Sequence, residues 1–359
     1  MSNRIPGLRA AVVLGIIVIL VGIGTGSSFA AWTAATSKGA TATAATTALS
    51  TAGIDALATT YKPGLAGVTT ATLSDTVPVT VTNTGSTPLG YALTVTGGNA
   101  TVNGAIALQV WKAGATCDAT TAPAAGATSN TLAAPPALPA DANSAAIGGV
   151  VSLCLRTTIS AANQATYTGT STAPTLSVVG SVGTWTTSSA VAFTQTITFS
   201  WFQLVHENSG KCVASAGTAV TAGTAIVIGT CKPLVATNNQ ALRFVQQGTT
   251  GTYRIYIGAG TASGPVLATP GTNSGTPVQL AAVDTVFTAN NQLWTIVASG
   301  DPGDFRIVLR GNPLAPNTLC LTSTATADGS AFTAVTCNTT ALSGSPAYKS
   351  QRFNFVEVP

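Results

Sequence analysis

From Trp201 to Pro359, 159 residues, the chain writes one pattern three times. The first copy opens on Phe202-Gln-Leu-Val, holds Gly210-Lys-Cys212-Val and Gly223-Thr-Ala-Ile-Val to Cys231, and closes on Asn239-Gln240-Ala-Leu-Arg-Phe244. The second opens on Tyr253-Arg-Ile-Tyr, holds Pro265-Val-Leu-Ala and Gly275-Thr-Pro-Val-Gln-Leu, and closes on Asn291-Gln292-Leu-Trp294. The third opens on Phe305-Arg-Ile-Val, holds Leu319-Cys320-Leu-Thr and Gly329-Ser-Ala-Phe to Cys337, and closes on Gln351-Arg-Phe353. The openings lie 51 and 52 residues apart. A period of this length marks a repeat architecture, because one unit alone cannot bury its apolar face. Each unit carries about four short strands between turn signals.

Composition narrows the rest. Only 7% of the 359 residues are charged, while Thr, Ala, Ser and Gly abound. Such a chain is too apolar to be disordered and too broken by Gly and Pro to be helical. Thr- and Val-rich runs favour strands, where β-branched side chains fit the pleat. The fold class expected is all-β. The net charge of +4, less Arg4 and Arg9 of the leader, leaves +2, far from the basic footprint of a nucleic-acid binder.

Six cysteines, Cys117, Cys154, Cys212, Cys231, Cys320 and Cys337, form an even set behind a secretory leader. That reads as disulfides. Two fall in the first repeat and two at the same places in the third. The expected pairs are Cys212–Cys231, Cys320–Cys337 and, by elimination, Cys117–Cys154. A zinc site needs close cysteine pairs or histidines, and His206 is the single histidine. No metal and no cofactor are expected.

Residues 1–30 read as a signal peptide. Arg4 and Arg9 precede an apolar run of 14 residues, Ala10 to Ile23, short of the ~20 that span a bilayer. Small residues then offer cleavage after Ala30; an uncleaved anchor is the alternative. Residues 31–200 read as one Thr/Ala-rich β-sandwich domain, jelly-roll or Ig-like, beginning with a flexible segment or a first strand over 31–60. Val77, Val79 and Val81 alternate with Pro78, Thr80 and Thr82, and Tyr91, Leu93 and Val95 with Ala92 and Thr94, the period of half-buried strands. Asn83-Thr-Gly85 supplies a turn between them. Pro78 is expected at a strand start or a sheet edge. Further strands are expected at Ala105–Trp111, Val150–Arg156, Thr175–Val179 and Val191–Phe199. The Pro/Ala-rich stretch between Cys117 and Leu153 reads as a long surface loop tied at its root. The composition shifts near Ser200, and residues 201–359 form the second domain.

The repeated segments resemble the ricin B-type lectin module, a β-trefoil of three lobes; the resemblance implies six strands closing a barrel and six capping it, which leaves no exposed sheet edge, with Leu242, Phe244, Trp294, Ile296, Phe353 and Phe355 near the axis. The marks are the apolar opening strand, Ser-Gly-Lys-Cys and Leu-Cys-Leu, Gly-Thr-x-Val, and the closing element, of which Gln292-Leu-Trp294 keeps the family's Gln-x-Trp. The resemblance implies carbohydrate binding by a carboxylate, an aromatic face and an amide. The positions matching the carboxylate are Ala214, Ala268 and Thr322, and those matching the aromatic are Gly229, Ala281 and Val335, so both groups are missing from all three lobes. Amide chemistry remains: Asn239 and Gln240 in lobe one, Gln279, Asn291 and Gln292 in lobe two, Gln351 in lobe three. Lobe two keeps the fullest set, with Asp284 and Phe287 as nearby substitutes or as turn and core residues. The Gln of each closing element is expected to hydrogen-bond backbone within its own lobe.

Thr25-Gly-Ser-Ser-Phe-Ala-Ala-Trp-Thr-Ala resembles the leader junction of bacterial TasA/camelysin-type matrix proteins, processed by a SipW-type signal peptidase, with Trp32 as the aromatic after the cut. That implies a Gram-positive source and a biofilm matrix setting. An enzyme is the least favoured class. A Ser-His-Asp arrangement would have to use His206, which sits in an ordinary strand and turn, and Asp301 and Asp304 flank a Pro-Gly turn. The reading is a secreted, extracellular or cell-surface, non-enzymatic protein whose partner is a polysaccharide or glycoconjugate. The alternative is a fibre or pilus-like subunit that self-assembles through its N-terminal domain. Nucleic acid is not a partner.

Overall fold

The computed structural model describes residues 45–218, 220–233, 239–247, 251–258, 264–284, 290–299, 301–310, 319–339 and 344–358. The leader, Trp32 and Phe287 lie outside them. The described residues form two compact units: 45–61 with 73–197, and 62–72 with 198–358. Residues 62–72, which the sequence reading places in the first domain, thus group with the second. Nearly all regular structure is β, and among the described residues no helix is long and apolar enough to cross a membrane.

The first unit holds twelve strands: β1 (Leu49–Ala52), β2 (Thr59–Tyr61), β3 (Ser74–Asn83), β4 (Leu89–Gly97), β5 (Ile106–Lys112), β6 (Thr128–Thr131), β7 (Ser144–Ala145), β8 (Val150–Ile159), β9 (Thr170–Thr172), β10 (Pro174–Val182), β11 (Trp185–Ala192) and β12 (Gln195–Ile197). They form sheets in the orders β1-β3-β8-β5-β6, β11-β10-β4-β7 and β2-β12-β9. The alternating residues of the two predicted strands turn toward one apolar cluster: Val77, Val79, Val81, Tyr91 and Leu93 join it with Leu108, Leu153, Leu176 and Ile197, and Val95 packs against it. Two short helices interrupt the strands, α1 (Ala100–Ala105) and α2 (Ala161–Tyr167). Each is capped by a polar side chain that accepts from an orphan amide: Asn99 from Thr101 N at 3.1 Å and Val102 N at 3.2 Å, Ser160 from Asn163 N at 3.1 Å.

Asn83-Thr-Gly85 turns the chain between β3 and β4 as expected, and the two strands lie in different sheets. Fully buried Asn83 accepts from Gly85 N at 3.0 Å and donates to Thr87 O at 2.7 Å and Ala146 O at 3.1 Å. Three other details differ from expectation. Pro78 lies inside β3, which has neighbours on both sides. β1 pairs only with Thr80–Asn83, and at Pro78 its place is taken by the turn at Gly53. There φ is +91°, and a Cβ would stand 2.2 Å from the Pro78 carbonyl oxygen. The flank facing β1 therefore asks no N–H of Pro78. The Pro/Ala-rich stretch is more than a surface loop. It supplies β6 and β7 and buries Leu132, Leu138 and Ala142 in the core. The strand expected over Val191–Phe199 is two, because the chain changes sheet at Phe193, whose amide donates to Pro174 O at 3.1 Å.

The second unit holds β13 (Trp201–His206), β14 (Lys211–Ser215), β15 (Ile226–Gly229), β16 (Leu242–Gln246), β17 (Thr252–Ile257), β18 (Val266–Ala268), β19 (Thr276–Pro277), β20 (Gln279–Ala281), β21 (Trp294–Ala298), β22 (Asp304–Leu309), β23 (Leu319–Thr322), β24 (Thr333–Thr336) and β25 (Phe353–Val358). β13 pairs with β16, β16 with β17, β17 with β21, β21 with β22, β22 with β25, and β25 with β13. The ring is closed. Three pairs, β14/β15, β18/β20 and β23/β24, cap it. They meet in a cycle of backbone bonds: Ile226 N to Val278 O at 3.0 Å, Val278 N to Phe332 O at 2.9 Å, Phe332 N to Ile226 O at 2.8 Å. A closed six-strand barrel with three hairpins related by a threefold axis is the β-trefoil arrangement. Inside it Phe355 meets Phe244 at a tilt, ring centroids 5.4 Å apart, and Phe305 edge-on at 5.3 Å, and Phe202 meets Phe244 edge-on at 5.8 Å. Leu242, Trp294 and Phe353 are buried in the same cluster, with Ile296 and Phe355 packed against it.

Candidate functional site

Strand register puts the three lobes in residue-by-residue correspondence. Gly229 lies opposite Cys212, Ala281 opposite Val266, and Val335 opposite Cys320. Two places further along the first strand stand Ala214, Ala268 and Thr322, opposite Val227, Gln279 and Thr333. The disulfides Cys212–Cys231 and Cys320–Cys337 span Cα distances of 5.0 and 4.9 Å. By the same offsets lobe two carries Val266 and Val283 in those places. Cys117–Cys154 closes the third disulfide, in the first unit, at 5.7 Å.

The closing glutamines do one job three times. Gln240 accepts from Lys232 N at 2.8 Å and donates to Thr230 O at 2.8 Å. Gln292 accepts from Asp284 N at 2.9 Å and donates to Ala282 O at 2.7 Å. Gln351 accepts from Asn338 N at 2.7 Å and donates to Thr336 O at 3.0 Å. Each amide grips the peptide groups on either side of the second cysteine position: Cys231, Val283 and Cys337. All three are buried, so their hydrogen-bonding capacity is engaged by the scaffold.

The residue before each glutamine differs between lobes. Asn239 is saturated: its Nδ2 donates to Ser215 O and Gly217 O, both at 2.7 Å, and its Oδ1 accepts from Lys232 Nζ at 2.7 Å. Ser350 donates to Ala347 O at 3.0 Å. Asn291 donates to Thr269 O at 2.6 Å, and its buried Oδ1 has no partner among the described residues. Gln279 is half-buried on β20 opposite Ala268, and its amide takes no partner among the described residues.

The places of the missing carboxylate are closed over: Ala214, Ala268 and Thr322 are all buried. The Thr322 hydroxyl donates to Cys320 O at 2.8 Å and accepts from Gln351 Nε2 at 3.1 Å. At Gly229 a Cβ would stand 3.1 Å from Gln240 Nε2 and 3.3 Å from the Ala214 Cβ, so even a methyl group there crowds the clamp.

His206 is fully buried, against Phe332 and Phe353. Its Nδ1 shares a hydrogen bond with Ser209 Oγ at 3.0 Å and its Nε2 one with Ser350 O at 3.1 Å. Burial pushes its pKa down, partly offset by the Ser350 carbonyl and Glu207. Asp301 accepts from Tyr348 Oη at 2.9 Å. Burial, then Glu207 and Asp301, raise the Asp304 carboxyl above the usual carboxylate range. Among the described residues no group of three His, Cys, Asp or Glu could hold a metal. A separate cleft of about 480 Å³ lies in the first unit, lined by Lys112, Asp141, Ser144, Gly149, Val150 and Ser152; no predicted site residue borders it.

Sequence reasoning missed a second rank of polar residues. Gln203 donates to Gln240 Oε1 at 2.9 Å and to Lys232 O at 3.2 Å, and Arg254 Nη2 donates to Asp284 O. The signal was present: the second residue of each opening, Gln203, Arg254 and Arg306, is polar inside an apolar strand.

No protein-family model matches the chain, and no curated protein matches it. Among solved structures it is similar to the designed threefold-symmetric protein ThreeFoil, at 22% identity over 44% of this chain and 97% of that one, with a TM-score of 0.35. A salivary protein of the Cysteine and Tryptophan-Rich family from Culex quiquefasciatus matches at 16% identity over 44% of this chain and 92% of that one, with a TM-score of 0.31. The C-half of an earthworm R-type lectin, solved in complex with GalNAc, matches at 16% identity over 44% of this chain and 98% of that one, with a TM-score of 0.29.

Proposed function

We propose that the protein is a secreted, non-enzymatic carbohydrate-binding protein that meets a polysaccharide or glycoconjugate at a cell surface. In this reading the trefoil unit binds through lobe two, and the first unit, taken as a β-sandwich, serves as spacer. The observation that carries the choice of lobe is the state of its amides. In lobe one Asn239 and Gln240 are consumed by backbone and lysine. In lobe two the half-buried Gln279 amide, opposite Ala268, and the buried Oδ1 of Asn291, whose Nδ2 donates to Thr269 O, have no side-chain partner among the described residues. In this reading the Gln279 amide takes sugar hydroxyls as it stands, and Asn291 does so by turning its side chain outward, which gives up its bond to Thr269 O. With no carboxylate and no stacking ring, affinity for one sugar is expected near ~1 mM, about 4 kcal/mol, so presentation on a multivalent surface is required.

The test is the full chain applied to a glycan array and to cell-wall polysaccharide. Saturable retention weakened about two- to tenfold by Gln279→Ala or Asn291→Ala, the loss of one neutral hydrogen bond, supports the reading. Retention that both variants leave unchanged contradicts the lobe assignment, and no retention on any glycan contradicts the binding function. Secretion is supported by three disulfides, which form in oxidising compartments. The fibre-subunit reading rests on the leader resemblance, which falls outside the described residues.

A further inference from the structure

Residues 62–72 belong in sequence between β2 and β3 of the first unit, yet they pack as part of the second. The segment is a small antiparallel finger: Lys62 bridges Thr72, Leu65 bridges Thr69, and Val68 N donates to Leu65 O at 2.8 Å. Its tip is Leu65-Ala-Gly67-Val68. Leu65 is 2% exposed and sits in the same apolar cluster as Phe202, Phe244 and Tyr253, with Val68 packed against that cluster. Polar contacts fix its place. Ala66 N donates to Tyr253 Oη at 3.4 Å, Ser200 Oγ donates to Pro63 O at 2.8 Å, and Lys62 Nζ lies 3.7 Å from Glu357 Oε1.

These partners lie together on the barrel. Ser200 precedes the start of β13, Tyr253 is the second residue of β17, and Glu357 pairs with Phe202 near the end of β25. The capping hairpins follow the far ends of β13 and β17. The finger therefore occupies the end of the barrel that the hairpins leave open. A six-strand barrel open at one end exposes its aromatic layer to water, and covering it removes apolar surface.

We propose that the open end of the barrel is a docking seat whose occupant is this chain's own segment 62–72, and that the trefoil depends on that occupant. Leu65 is the anchor that fills the seat, with Val68 beside it. The Tyr253 hydroxyl and Ser200 read the finger's backbone, so position is set by main-chain groups and depth by one leucine. The seat is separate from the face around Gln279 and Asn291, and its test does not depend on sugar binding.

The experiment is native-state hydrogen exchange on the full chain under increasing denaturant. The amides of Lys62, Val68, Thr69 and Thr72 are expected to exchange in step with β13, β16 and β17. Exchange in step with β3 and β8, or without protection, overturns the proposal. As a second measurement, Leu65→Ala is expected to speed exchange in β13 and β17 at least tenfold while leaving β3 and β8 unchanged. Slowly exchanging β13 and β17 amides unaltered by Leu65→Ala overturn it equally.

Discussion

Gln292 grips the backbone on both sides of Val283, which stands where lobe one has Cys231 and lobe three has Cys337. The amide clamp thus persists in the one lobe from which the covalent staple is gone. Val266, opposite Ala281, is fully buried. Lobe two thus has an apolar side chain at each cysteine position, Val266 buried and Val283 half-buried, and keeps the clamp.

Restoring the staple is the first consequence. Val266→Cys with Val283→Cys is expected to form a fourth disulfide. In the chain-entropy model a loop of this size contributes about 3 kcal/mol. Intact mass should fall by the two hydrogens lost on oxidation, and the trefoil's melting should move up. Two free thiols in the folded double variant would show that the lobes do not correspond as the register indicates.

Removing the clamp is the converse. Gln292→Ala leaves the Asp284 amide without its acceptor, while exposed Ala282 can turn to water. The expected loss is about 1–3 kcal/mol, read from hydrogen exchange in β21. Gln240→Ala should cost less, because Cys212–Cys231 still holds lobe one. Equal losses in both would deny the disulfide its part.

The correspondence of Ala214, Ala268 and Thr322, and of Gly229, Ala281 and Val335, was legible before any coordinates, because the repeat carries its own phase. The pairs Cys212–Cys231 and Cys320–Cys337 follow from the same phase, and Cys117–Cys154 by elimination. Other features were hidden for physical reasons. Proline-rich composition between Cys117 and Leu153 speaks of backbone, not of burial, and so conceals the core roles of Leu132 and Leu138. Pro78 looked like an edge residue because a sequence does not say where a neighbouring strand stops. Nothing local to Pro63-Gly-Leu-Ala-Gly-Val68 says that Leu65 fills a barrel whose strands begin at Trp201. At the candidate site, the glutamines' scaffold role was readable, but which asparagine stays uncommitted depends on whether a lysine or an aspartate follows the second cysteine position.

His206 makes the trefoil acid-sensitive. Burial lowers its folded-state pKa below the ordinary value of 6.5, so the unfolded chain binds the proton first. Its contribution is complete above pH 6.5 and is lost as pH falls through the window below it, with a slope of at most about 1.4 kcal/mol per pH unit. His206→Gln should flatten that part of the stability profile measured by exchange in β13. An unchanged slope would place the acid sensitivity elsewhere.

In the first unit Asn83 joins a turn to the segment after β7 through its side chain. Asn83→Ala should cost about 2–4 kcal/mol, because several buried backbone groups lose a partner at once. Denaturant unfolding followed through Trp111 measures it. A loss under 0.5 kcal/mol, the size of an ordinary surface change, would mean that water replaces the amide.

Carbohydrate binding through the amides of lobe two, without the usual carboxylate and ring, is the proposal most open to direct test. The direct measurement is retention of the full chain on arrayed glycans and cell-wall polysaccharide, beside the Gln279→Ala, Asn291→Ala double variant. The account predicts saturable retention that the double variant loses while keeping its exchange protection. A flat array with no polysaccharide retention, or retention that the double variant keeps, contradicts it.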